Sequence, residues 1–222
     1  MSKPSTKIGL EGALSELPIF PLGQAVLFPR ADLPLHIFEP RYRVMVKDCL
    51  DSHAAMAIVL VTDARMSDEN GHPPIASVAG AGIIAEHHQL ADGRYNILLR
   101  GVARVRLEEL PFVPPYRRAK ATILEETNLA DVTVADRSAL IASASAFAAE
   151  VHKRDPNFSF RLPANIDAGV IADLCAHHMV VDAAARQAIL EELDVSQRVQ
   201  LVIRELAVQK AAFSIEPGGA VN

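Results

Sequence analysis

Apolar positions are spaced in two different ways along this chain. Up to about residue 126 they fall in short blocks and alternations, the spacing of β-strands, where successive side chains point to opposite faces. The stretch LPIFPLGQAVLFPRADLPLHIFEPRY (17–42) is strongly apolar yet holds Pro18, Pro21, Pro29, Pro34 and Pro40. Proline cannot donate to a β-ladder, so it belongs at edges, strand starts and bends. The spacing predicts short strands that turn corners, as in a small closed or half-closed β-structure. AMAIVLV (55–61) is apolar throughout, the pattern of a strand buried on both faces. SVAGAGIIAEHHQL (77–90) carries Gly80 and Gly82, which admit a bulge or the close approach of another backbone. Asp92-Gly93 is a hairpin signal, and Tyr95, Ile97 and Leu99 alternate after it against Asn96 and Leu98. PYRRAKATILEE (115–126) closes this half.

One helical stripe interrupts the strands. Tyr42, Met45, Val46, Cys49 and Leu50 fall at i, i+3, i+4, i+7 and i+8, with Pro40 suited to the first turn and Glu39 to its positive end. From Asp131 onward strand signals vanish and alanine becomes frequent. Four helices are predicted there. Their apolar faces are Leu140, Ile141, Ala144, Phe147, Ala148 and Val151 in the first, then Val170, Ile171, Leu174 and His178 in the second. Ile189, Leu190 and Leu193 mark the third, and Val195, Val199, Val202 and Leu206 the last, which Asp194 caps with Gln197 three residues on. The N-terminal MSKPSTKIGLEGALSEL is expected to be a loose leader, and the C-terminal EPGGAVN to fray.

Composition narrows the function classes. A net charge of −5 over 222 residues argues against a general nucleic-acid binder. No apolar run reaches the roughly 18 residues of a membrane span, and the expectation is a cytoplasmic protein without membrane contact. Cys49 and Cys175 read as two buried thiols rather than a disulfide.

Candidate chemistry is sparse. The pairs His87-His88 and His177-His178 are badly spaced for chelation, and neither HExxH nor CxxC occurs, so no metal site and no cofactor are predicted. Ser138, Ser143 and Ser145 lie in an alanine-rich helix away from Lys153, the nearest lysine, which leaves no activated serine. The chain has no GxxxxGK[ST] and hence no phosphate cradle of that kind. Glu39, Arg41 and Arg43 form the most suggestive polar cluster, and an ion pair from Glu39 to Arg43 would be a structural tie at the helix start. His36 is expected at an edge or turn, and a cleft acid–base pair of His36 with Glu39 is the weakest of the rival readings. Arg94, Arg100, Arg104, Arg106, Arg117 and Arg118 make residues 94–118 locally basic; they read either as cross-strand ion pairs or as an RNA-binding face.

The segment 17–46, with its proline-flanked strand and its LPLHIFEPRYR block, resembles the N-terminal, substrate-binding domain of Lon proteases. AGAGIIAEHHQLADGRYNILLRGVARVRLEEL, PPYRRAKATILEE and IADLCAHHMVVDAAARQAILEELDVSQRVQLVIREL are similar to later blocks of that family, so the resemblance runs from about residue 15 to 212. It implies an α+β fold: a β-rich PUA-like pseudo-barrel with one helix over 15–127, then a bundle of about four helices over 130–213. It further implies a stand-alone member without ATPase or peptidase domains. The expected function is a non-catalytic protein- or peptide-binding module, an adaptor or regulator in protein quality control. Its partners would be unfolded or peptide clients and an ATP-dependent protease. The candidate client-binding residues are Leu22, Val26, Leu27, Phe28, His36 and Phe38, where interrupted strands leave edges for strand addition and apolar side chains form a rim. The competing expectation is that most of these side chains are core.

Overall fold

A computed structural model describes residues 6–162 and 166–215; the expected fraying tail, 216–222, lies outside them. The elements in order are α1 (Thr6–Ala13), β1 (Leu17–Leu22), β2 (Asp32–Ile37), α2 (Pro40–Asp51), β3 (Ala55–Leu60), β4 (Val78–Gln89), β5 (Tyr95–Glu109) and β6 (Arg118–Ile123). A short 3-10 turn, Leu129–Asp131, precedes α3 (Val134–Arg154), α4 (Ala168–Met179), α5 (Ala183–Glu191) and α6 (Val195–Ile215). The chain separates between Glu125 and Glu126 into two compact units, one β-rich and one helical. This is the α+β architecture expected from the two apolar spacings. No helix among the described residues is long and apolar enough to cross a membrane.

In the first unit β5 is the longest strand and organises the others. It pairs with β4 along most of its length, with β2 over Tyr95–Arg100 and with β6 over Val105–Glu109. The ring closes through β4–β3, β3–β1 and β1–β6. The β1–β3 pair is parallel and therefore needs a crossover, which β2 and α2 provide. β3, entirely buried, occupies the centre as its unbroken apolar run predicts. The Asp92-Gly93 signal builds a tight loop: Gly93 sits at φ +81°, its N–H reaches the Leu90 carbonyl at 2.9 Å, and Leu90 N–H reaches Arg94 at 2.8 Å.

The barrel interior is filled by the chain itself. Val26, Leu27 and Phe28 leave β1 and cross the inner face of β4 and β5, all buried. A Cβ on Gly80 would lie 1.8 Å from the Leu27 carbonyl oxygen, and one on Gly101 would lie 2.0 Å from that of Phe28. Only residues without a side chain fit there. The close approach anticipated near Gly80 is made by this plug, and a register shift between Ala81 and Gly82 accompanies it. The face of α2 carrying Tyr42, Met45, Val46 and Cys49 packs on the same core, with Phe20 and Tyr42 rings 4.3 Å apart.

The described part of the supposed leader, from Thr6 onward, is structured. Residues 6–13 form α1, with Leu10 and Ala13 buried, and Ala121 N–H bonds to the Leu14 carbonyl at 2.7 Å. The sequence reading missed it because the segment is only about two turns long with a weak apolar pattern, and its order comes from packing.

Every long helix of the second unit starts on a side-chain cap. Thr133 and Asp136 form a capping box on α3; Asp167, Asp182 and Asp194 accept backbone N–H groups at the starts of α4, α5 and α6. The predicted stripe of α6 is buried at Val195, Val199, Val202 and Leu206. The α4 face is rotated from expectation: Ile171, Ala172, Cys175, Ala176 and Met179 are buried, whereas Val170 and Leu174 are half-buried and His178 is exposed. Small residues there let the helix approach α6 closely, a preference that a count of large apolar residues overlooks. Arg198, fully buried on α6, donates to the Glu192 carbonyl at 2.8 Å and to Glu126, and its Nε lies 3.2 Å from the buried Asp173 carboxylate.

Candidate functional site

β2 ends the strand order and pairs with β5 alone among the described strands. Its register places Asp32 opposite Arg100, Pro34 opposite Leu98 and His36 opposite Asn96. Gly101 N–H donates to the Ala31 carbonyl at 2.8 Å, which fixes the alternation of the ladder. Leu33, Leu35 and Ile37 then bond to β5, while the backbone groups of Pro34 and His36 face the open side. Pro34 agrees with this, since its missing N–H costs nothing on the open side. Two of the five prolines find their reason here and at Pro40, which stands in the first turn of α2, whereas Pro18 and Pro21 lie in β1, which is paired on both sides.

The side chains of β2 divide by parity. Ile37 joins the core, with Leu33 and Leu35 half-buried against it; His36 and Pro34 are exposed. His36 bridges strands: its Nδ1 is 2.6 Å from Asn96 Oδ1 and its Nε2 3.2 Å from Arg94 Nη1. Arg94 can only donate, so Nε2 accepts and the ring proton sits on Nδ1. Phe38 follows β2, 61% exposed, with its ring 6.3 Å from that of His36 and stacked. Beyond it, Val44 on α2 is 42% exposed and lines a cavity of 320 Å³ with Pro40, Arg43, Gly93 and Tyr95. An open strand edge, an exposed aromatic ring and an apolar hollow thus follow one another along residues 32–44. Sequence reasoning named His36 and Phe38 as candidates but not Val44 or Tyr95, whose hollow exists only where α2 meets the hairpin.

The other candidates are placed differently. Leu22 is half-buried against the core, and Val26, Leu27 and Phe28 are the barrel plug. Val26, Leu27 and Phe28 are corrected from rim to interior, and Leu22 to a half-buried place against the core: burying an apolar side chain is worth about 1.5–3 kcal/mol over leaving it exposed, and Gly80 and Gly101 make room for the Leu27–Phe28 segment. Glu39 pairs with Arg41 at 3.0 Å rather than with Arg43. Arg43 instead reaches Gly93 of the hairpin, within 2.1 Å of where a Cβ would stand, and so ties α2 to β4 and β5. Neither Glu39 nor Arg41 shares a hydrogen bond with His36, so the structure does not assemble an acid–base pair from His36 and Glu39.

The basic stretch is largely spent within the protein. Arg100 bonds Asp32 in a fork at 2.7 and 2.8 Å, and this carboxylate raises the guanidinium's pKa further. Backbone and side-chain bonds from Arg94 hold the Asp92 carboxyl below its usual range. Arg117 is buried against Glu109 and the Pro73 carbonyl, Arg118 pairs with Glu16 at 3.0 Å, and Arg104 is buried. Of these side chains Arg100 and Arg106 are exposed, and of the two Arg100 is held by Asp32. Among the described residues no group of three or more His, Cys, Asp or Glu could hold a metal ion. Burial pushes the Cys49 and Cys175 thiols up to about 12, far from a thiolate nucleophile.

This architecture has known counterparts. A Lon N-terminal domain protein from Xanthomonas campestris superposes with a TM-score of 0.62 at 21% identity, over 86% of this chain and 98% of that one. The N-terminal domain of a Mycobacterium avium complex Lon protease gives 0.62 at 15%, over 87% and 98%. In sequence, Lon protease 2 of Sorangium cellulosum is 27% identical over 217 residues, which cover 96% of this chain. The Lon protease of Parabacteroides distasonis is 32% identical over 138 residues, 61% of this chain. The chain spans about a quarter of the length of the curated relatives it matches, 27% and 23% in two of them. Residues 16–208 match the ATP-dependent protease La (LON) substrate-binding domain, and the chain belongs to that family.

Proposed function

We propose that this protein binds extended segments of unfolded polypeptide along β2 and carries no bond-breaking chemistry of its own. The observation that carries the reading is the open edge of β2 beside Phe38, a large apolar ring left in solvent at 61% exposure. A client strand would take its main-chain hydrogen bonds from the backbone of Pro34 and His36. It would set an apolar side chain against Phe38 and Val44. Family membership supports a substrate-binding role, and the thiols, serines and His36 offer no activated nucleophile. Adaptor or regulator work in protein quality control, with an ATP-dependent protease as partner and in the cytoplasm, belongs to the same proposal.

The test is binding of a fluorescently labelled model protein that is permanently unfolded by reduction and alkylation, followed by anisotropy. The expected result is saturable binding of the unfolded form and none of the native form. Phe38→Asp should weaken it at least tenfold, about 1.4 kcal/mol, without altering the tyrosine spectrum of the β-rich unit. Equal affinity in Phe38→Asp, or no binding of the unfolded form, would refute the proposal.

A further inference from the structure

At another place on the β-rich unit two cavities share a wall. The larger, 420 Å³, lies between the end of α1, the end of α2 and the start of β6, and Glu16, Asp48, His53, Tyr116 and Arg118 line it. The smaller, 310 Å³, is apolar, with Leu110, Pro111 and Val113 as its walls, and Glu16 and Arg118 as its polar side. Glu16 and Arg118 therefore stand between the two.

The larger cavity carries an excess of negative charge: two carboxylates, Asp48 and Glu16, against one guanidinium, Arg118. The Asp48 carboxylate is orientated. Tyr116 donates to its Oδ2 at 2.8 Å, which leaves Oδ1 free to accept. Tyr116 is in turn held under the Arg118 guanidinium, 5.2 Å from its ring centre. Glu16 is mostly exposed, and its pair with Arg118 at 3.0 Å is a surface pair, so it contributes little and yields readily to a competing cation. In the smaller cavity Val113 is 59% exposed on a segment that also presents Pro111.

We propose that this paired hollow is a second polypeptide-binding site, selective for a basic residue next to an apolar one. The basic side chain would enter the larger cavity toward Asp48 and Glu16, and its apolar neighbour would cover Leu110, Pro111 and Val113. The inference rests on the polypeptide-binding reading above and names a class of segment for it. Complementary charge is the source of selectivity; the apolar wall supplies contact area.

Capped fluorescent peptides with a single Arg-Phe, Glu-Phe or Arg-Ser unit in a Gly/Ser background test it by anisotropy on the full chain. Arg-Phe should bind about tenfold tighter than Glu-Phe, as one charge-assisted hydrogen bond supplies. It should also exceed both Arg-Ser and the free cation acetyl-arginine amide. Asp48→Asn keeps an acceptor for Tyr116 and should erase the preference, and Glu16→Gln, at an exposed position, should reduce it even if Asp48→Asn folds poorly. Equal binding of Arg-Phe and Glu-Phe, or a preference that survives both carboxylate substitutions, overturns the site. If the unfolded model protein binds through Phe38 while Arg-Phe does not bind, this site alone is refuted; if neither binds, the polypeptide-binding reading fails with it.

Discussion

Replacing Gly101 with alanine isolates the feature that shapes the barrel. The added Cβ would stand 2.0 Å from the Phe28 carbonyl oxygen and 3.3 Å from Leu27 Cγ. Ordinary contact needs about 3.0 Å or more, so the two segments must part by about 1 Å. Neither is free to do so. Gly101 N–H donates to the Ala31 carbonyl at 2.8 Å, its own carbonyl accepts from Arg30 N–H at 2.9 Å, and the Phe28 carbonyl accepts from Ala31 N–H at 3.2 Å. Overpacking of this kind costs about 1–3 kcal/mol, and each hydrogen bond pulled out of line adds about 1 kcal/mol. A total near 3 kcal/mol is a large share of the 5–15 kcal/mol typical of a domain. The assay is urea unfolding followed by tyrosine fluorescence. The protein has no tryptophan and its tyrosines are Tyr42, Tyr95 and Tyr116, so the signal reports the β-rich unit alone. Gly23→Ala is the matched control: a Cβ there meets nothing within 4 Å, so its stability should stay within about 0.5 kcal/mol of the parent. A Gly101→Ala variant as stable as Gly23→Ala, with an unchanged denaturant slope, would show that the plug does not press on β5.

Other consequences can be measured independently. Arg198→Ala strands the buried Asp173 carboxylate and should destabilise the helical unit by about 3–5 kcal/mol; the loss should appear in far-ultraviolet circular dichroism at 222 nm, with the tyrosine transition unmoved. Both cysteines, buried with thiols pushed up to about 12, should resist an aromatic disulfide reagent at pH 8 until urea is added, and prompt labelling of either would contradict their burial. Tyr116 is shifted from 10.0 to about 12, first by burial and then by its bond to Asp48. A raised folded value favours the neutral phenol, so this contribution is whole below pH 10 and is lost as pH rises toward 12. Ultraviolet titration should show a late phenol that Asp48→Ala, which removes the acceptor, brings partway down; the same late value in the variant would dismiss the Asp48 bond.

The architecture was readable because burial and periodicity are coupled. β3 is apolar at every position and buried at every position, and α2 buries Tyr42, Met45, Val46 and Cys49 as their spacing demands. The candidate site was readable only in part. His36 and Phe38 were named from the proline-interrupted apolar stretch, and the alternation of β2, odd-numbered residues inward, puts both on the exposed side. The place of Val26, Leu27 and Phe28 was not readable, because their fate depends on Gly80 and Gly101, far away in sequence; an apolar triplet between prolines looks the same as a rim and as a plug. The larger cavity was invisible for a related reason. Asp48, Tyr116 and Glu16 belong to three separate segments, and no local pattern announces that the fold will bring them together.

The plug also dictates an order of events during synthesis. Phe28 leaves the ribosome long before its seat at Gly101, and at about 5–20 residues per second that seat follows several seconds later. Until then one of the most apolar stretches of the molecule has nothing to cover it, and the ring still awaits β6. A nascent chain of this protein is thus, for those seconds, the sort of substrate that holding chaperones capture, and its yield in a cell should respond to them more steeply than the stability of the finished barrel would suggest.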